Sequence, residues 1–137
     1  MWKLFAVLSA LFAGLTAVLA KLGMKGIDSN LATAIRTVIV LAMSLLVVFA
    51  VGSQRQIGQL TTRHWIFLAL SGLATGFSWL FYFKAIQLGD VSKVAPIDKL
   101  SIVVTMALSF LILGEALTAK TLLGGALIVA GTFVLLL

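Results

Sequence analysis

The chain has 137 residues, of which 62% are hydrophobic and only 10% charged, and its formal net charge is +6. A soluble domain carries roughly 25% charged residues, and a small one buries the smaller fraction of its surface, so a water-soluble fold is excluded. With no Cys in the sequence, disulfides, thiol catalysis and thiolate metal sites are excluded too.

Five apolar segments follow one another along the chain. The first is uncharged from Leu4 to Ala20. Its start at Lys3 and its small-residue end, "AVLA", also fit a signal peptide, but the run is long for one and four more follow. The second extends from Leu31 to Val51 and is interrupted by Arg36. The third is uncharged from Trp65 to Phe83. The fourth runs from Val91 or Pro96 to Leu113, and the fifth is uncharged from Thr121 to Leu137. A spanning helix needs about 20 residues, and each segment reaches that length with its polar flanks. Backbone in lipid must satisfy its own hydrogen bonds, and the alternation of a membrane strand is missing, so helices are expected. The expected bounds are 3–22, 31–51, 64–85, 92–113 and 118–137, in a single transmembrane domain covering residues 1–137.

The connections carry turn and cap chemistry. "KGIDSN" offers Asp28, Ser29 and Asn30 as caps for the second helix, and Thr61 or Thr62 for the third. "QLGDVSK" follows the third helix, and "GEALTAK" separates the last two. Trp2 and Trp65 sit at segment ends as interfacial anchors do. His64, the single histidine, lies between Arg63 and Trp65 and reads as interfacial rather than as a metal ligand. The basic residues cluster near segment ends, where they face lipid headgroups. Membrane lipid is therefore the expected partner, and nucleic acid is not.

An odd number of crossings puts the termini on opposite sides. Lys3, Arg55, Arg63 and Lys120 then fall on the N-terminal side, against Lys21, Lys25, Lys84 and Lys93 on the other. Arg36 and Lys99 lie near that second side. The bias that normally fixes orientation is thus weak. A chain without it is able to insert both ways round, and two opposed copies would form an inverted pair about an axis in the membrane plane.

The C-terminal half resembles an EamA repeat of the drug/metabolite transporter superfamily. The stretches "FYFKAIQLGDVSKVAPIDKLSIVV" and "FLILGEALTAKTLLGGALIVAGTFVLL" carry the resemblance, with "AIRT" in the second helix in support. It implies an all-α polytopic membrane protein of five helices per chain, half the usual size. It also implies an antiparallel homodimer of ten helices in the cytoplasmic membrane. The last helix is similar to that of the small multidrug resistance transporters. Their essential carboxylate in the first helix has no counterpart here, because that helix holds no Asp or Glu.

Two polar stripes are candidates for a transport path. Asp98, Ser101, Thr105 and Ser109 share a helix face, with Lys99 on a neighbouring one beside Val103, Met106 and Phe110. On a regular helix Asp98 and Lys99 would point apart. If Pro96 takes the first helical position, Asp98 falls in the first turn, where it either caps its own helix or faces a cavity. In the third helix Ser71, Thr75, Ser78 and Tyr82 form a second stripe. Beside them run Gly72, Gly76, Trp79 and Phe83, with the glycine pair open to close backbone approach. Ser and Thr hydroxyls also bond to their own helix, so the stripes alone do not define a path.

Ionisable groups inside a bilayer are costly and point to function. Arg36 and Asp98 fall near the same side, so Arg36 is expected to pair with Asp98 or with a substrate carboxylate. The substrate and proton-coupling candidates are Asp98, Arg36, Lys99, Trp79, Tyr82, Ser101 and Thr105. Lys84 and Lys93 are placed to snorkel, and Glu115 to pair in its loop with Lys120 or Arg63. Gly124, Gly125, Ala130 and Gly131 in the last helix are candidates for packing or dimer contact. No phosphate loop, metal cluster, cofactor motif or nucleophile–base pair is visible, so no enzyme is expected. The expected function is transport of a small metabolite. The alternative is an accessory membrane protein that associates through the small-residue face of its last helix.

Overall fold

The computed structural model describes residues 1–137 and is all-α. Its helices are α1 (Trp2–Gly23), α2 (Ser29–Val51), α3 (Thr62–Leu88), α4 (Val91–Asp98), α5 (Ser101–Leu108) and α6 (Ala119–Leu136). A 3-10 segment, Ser53–Gln59, joins α2 to α3, and a π-turn, Ser109–Leu113, closes α5. Read with α4, α5 and the π-turn as one span, five helical segments are long and apolar enough to cross a membrane.

The chain divides into two compact units, Met1–Leu88 and Gly89–Leu137. In the first, three helices, each antiparallel to the next, pack at one end only. The buried residues are Ala17 and Ala20 of α1, Ser29, Ala32 and Thr33 of α2, and Phe83 and Ile86 of α3, with Met24 in the α1–α2 turn. All lie near the end where α1 finishes, α2 begins and α3 finishes. Towards the other end the side chains are exposed, which is tolerable only in lipid or against another chain.

Polar side chains tie the packed end. The Lys21 ammonium donates to the carbonyls of Ile86 at 2.6 Å and Gln87 at 3.3 Å. These belong to the last turn of α3, whose carbonyls have no acceptor role left within the helix. Gln87 Nε2 donates to the Ile27 carbonyl at 2.7 Å, and Lys84 donates to Gln87 Oε1 at 3.3 Å. Asp28 caps α2, its carboxylate accepting from the Asn30 N–H at 2.8 Å. That bond is the main reason the Asp28 carboxyl is held below its ordinary pKa. At the opposite end His64 Nδ1 lies 3.0 Å from the Thr61 N–H and 2.9 Å from its hydroxyl. The histidine therefore works as part of an N-terminal cap, consistent with an interfacial rather than a metal-binding place.

In the second unit α6 packs along the broken span. Gly125 is buried, and a Cβ there would meet Met106 Cε at 3.1 Å and Sδ at 3.2 Å. Close to two turns further along α6, the buried Thr132 hydroxyl lies 2.9 Å from the Ile128 carbonyl and 3.2 Å from that of Pro96. Gly125 and Thr132 therefore form the face of α6 that holds the span. Thr118 caps α6, accepting from the Thr121 N–H at 3.2 Å.

Candidate functional site

The first cluster is built on α2 and α3. Arg36 lies about two turns into α2, roughly 10 Å from its start. Its guanidinium carbon stands 3.9 Å from the centroid of the Phe83 ring and 6.0 Å from that of Trp79. Phe83 is fixed in turn by edge contacts with Tyr82 at 5.2 Å and Trp79 at 6.5 Å between centroids. The expected candidates Arg36, Trp79 and Tyr82 therefore meet around Phe83. Arg36 Nη1 is enclosed and has no hydrogen-bond acceptor.

Two clefts flank α2. One, of about 420 Å³, lies between α1 and α2 and is lined by Ala20, Gly23, Met24, Ala32, Ile35 and Arg36 among others. The other, of about 450 Å³, lies between α2 and α3, with Asn30, Thr33, Thr37, Thr75 and Trp79 in its wall. Both volumes suit a small ligand. Gly72 and Gly76 open onto the second cleft, and a Cβ at either would meet nothing within 4 Å. The glycine pair thus provides room here rather than a close helix contact. The threonine hydroxyls lining this cleft are spent on their own helices: Thr75 of the stripe donates to the Ser71 carbonyl, and in α2 Thr33 donates to that of Ser29 and Thr37 to that of Thr33.

The second cluster is the break between α4 and α5. Here the structure corrects two expectations. Pro96 does not open the span, which begins at Val91 with Asp90 at the cap position, so Pro96 stands inside α4. Asp98 is accordingly the last residue of α4, not a first-turn residue capping its own helix. The regular α-helix is interrupted after Asp98, at Lys99 and Leu100, past the proline rather than in the turn before it. Tight bonds from Lys99 N–H to Pro96 and from Leu100 N–H to Ile97 carry the chain across. This change of winding also overturns the divergence expected of Asp98 and Lys99. Their side chains pair at 3.3 Å. Ser101 and Thr105 lie exposed on α5. Lys93 and Lys84 are exposed near helix ends, and Glu115 forms no ion pair with Lys120.

The four small residues of α6 separate. Gly125 is internal packing, whereas Ala130 and Gly131 are exposed, and a Cβ at Gly124 or Gly131 would meet nothing within 4 Å. Lys21, Gln87 and Thr132 are the polar residues that sequence reasoning missed. The only signal for Thr132 was its spacing from Gly125 along the helix. Lys21 and Gln87 looked like ordinary residues of a helix end.

The comparisons with known proteins agree with this architecture. The EamA-like transporter family matches residues 1–137, the full chain. An uncharacterized transporter in the cobO 3' region of Sinorhizobium sp is 51% identical over 134 residues, which cover 98% of this chain and 95% of that protein. No solved structure matches. The chain, a multi-pass membrane transporter by its spans and its relatives, belongs to the EamA-like transporter family.

Proposed function

We propose that this transporter moves a small metabolite across the cytoplasmic membrane by alternating access, as an antiparallel homodimer. The observation that carries the reading is the one-ended packing of Met1–Leu88, with small-ligand clefts opening on both flanks of α2. A second, inverted copy supplies the missing walls, and rocking of one copy against the other exposes the site to each side in turn. The near balance of basic residues between the two sides supports insertion both ways round.

Asp98 is the coupling group in this scheme. Its carboxylate sits at the break of a discontinuous span and holds Lys99. Proton binding neutralises it and releases the ammonium, giving the span two charge states with different preferred surroundings. Flux into proteoliposomes, screened over a panel of acids, amines, sugars and amino acids, tests transport. Flux of no solute would favour an accessory role through the exposed α6 face. Cysteines placed singly near either terminus, in a chain with none of its own, test the topology. Labelling from both sides of the membrane is expected, and labelling from one side removes the antiparallel pair. An Asp98→Asn protein is expected to lose the pH dependence of transport, and an unchanged profile removes Asp98 from coupling.

A further inference from the structure

The charges of the first unit do not balance within the membrane. None of α1, α2 and α3 contains an Asp or Glu, yet Arg36 stands roughly two turns inside α2. Asp28, the acidic residue of this unit, is occupied at the start of α2 by the Asn30 N–H. The Phe83 ring holds the guanidinium by its face, which orients the charge but does not neutralise it. Nη1 is enclosed without an acceptor, an expensive state for a charged donor. In the second unit, by contrast, Asp98 and Lys99 neutralise each other.

Arg36 also forms part of the wall of the α1–α2 cleft. Apart from the Thr16 hydroxyl the rest of that wall is apolar, with Ala20, Gly23 and Ala32 leaving space and Met24 and Ile35 among the larger side chains closing it. A cation held rigidly at the edge of an apolar cleft is complementary to a ligand with one oxyanion and an apolar body. A guanidinium offers such a group two parallel donors, and the low dielectric strengthens the contact.

We propose that the substrate class is a small organic anion, bound with its carboxylate or phosphate on Arg36 and its apolar body in the cleft between α1 and α2. The inference rests on the transport reading above and gives that site its ligand chemistry. The stripes do not set a charge sign, because Asp98 in one of them is paired with Lys99; the unbalanced Arg36 does.

Trp79 provides the readout, because its ring lies 6.0 Å from the guanidinium carbon. With Trp2 and Trp65 changed to Phe, it is the remaining tryptophan. Purified protein in detergent is titrated with benzoate, phenyl phosphate and benzylamine, which share an aromatic body and differ in head group. Saturable quenching by benzoate or phenyl phosphate, and none by benzylamine, is expected. Arg36→Gln is expected to weaken anion binding by at least about tenfold, and Arg36→Lys by less, since the charge survives and the fork does not. Equal or tighter binding of benzylamine overturns the proposal, as does anion binding unchanged in Arg36→Gln. Failure of both anions to bind overturns it as well. Should Arg36→Gln not fold, the comparison of head groups on the unaltered site still decides. Amine flux in liposomes without anion binding refutes this inference and leaves transport standing. Anion binding without flux of any solute does the reverse.

Discussion

Replacing Lys21 by Met tests whether polar tethers hold the packed end of the first unit. The substitution keeps an unbranched side chain and removes the ammonium that reaches the Ile86 carbonyl at 2.6 Å and the Gln87 carbonyl at 3.3 Å. A hydrogen bond to a charged group contributes about 1.5–3 kcal/mol in soluble proteins. Interhelical bonds in membranes average about 0.6 kcal/mol and reach about 1.7. A cation at a helix C-terminus adds about 0.3–1 kcal/mol. Ile86 is fully buried, which argues for the upper part of the membrane range, whereas the half-buried Lys21 lets water compensate in part. A loss of about 1.5 kcal/mol is therefore expected, roughly a tenfold shift in the unfolding equilibrium. Titration from dodecylmaltoside into SDS, followed by far-UV circular dichroism, measures it. Lys21→Arg, which still reaches the carbonyls with N–H donors, should recover most of the loss. If Lys21→Met stays within about 0.3 kcal/mol of the unaltered protein, or if Arg is as harmful as Met, the tether reading is wrong.

The remaining predictions address other contacts. Gly125→Leu should destabilise by about 1–3 kcal/mol through collision with Met106, while Gly131→Leu, with open space around it, should leave the fold of the chain intact. Cross-linking yield of the two variants then shows whether Gly131 faces a second copy. Thr132→Val should cost about 0.6 kcal/mol by SDS titration, since it removes the hydroxyl near the Pro96 carbonyl. Asp28→Ala should destabilise at neutral pH. Because the folded carboxyl titrates below its ordinary value, the cap contributes fully above that value and is lost as pH falls through the lowered one. The stability gap between the two proteins should therefore close in acid, and a gap that widens there contradicts the cap. His64→Ala should speed amide exchange in the first turn of α3, where the Thr61 N–H loses its acceptor.

The spans were legible because lipid imposes one rule on every residue of a helix, and long uncharged runs obey it visibly. The meeting of Arg36 with Trp79 and Tyr82 was legible in part, since an intramembrane charge and a ring cluster both stand out. What hid was the junction at Lys99. Pattern reasoning treats a span as a rod of uniform pitch, so it sent Asp98 and Lys99 to different faces. In the structure the helix is interrupted at Lys99 and Leu100, and at that interruption the pair closes. The tethers hid for a different reason. Lys21 and Gln87 act on backbone carbonyls, which every residue carries, so no partner residue type marks the contact in a sequence.

The position of those tethers also bears on biogenesis. Each one, from Lys21 to Ile86 and Gln87 and from Gln87 back to Ile27, joins residues of Met1–Leu88 alone. The last partner is synthesised just before that unit ends. These particular tethers are therefore in place once Gln87 has been made, ahead of α4 to α6. A gene cut between Leu88 and Gly89 puts this to the test: the first fragment should keep its helical content and its packed end in lipid, and loss of both would show that α4 to α6 are needed.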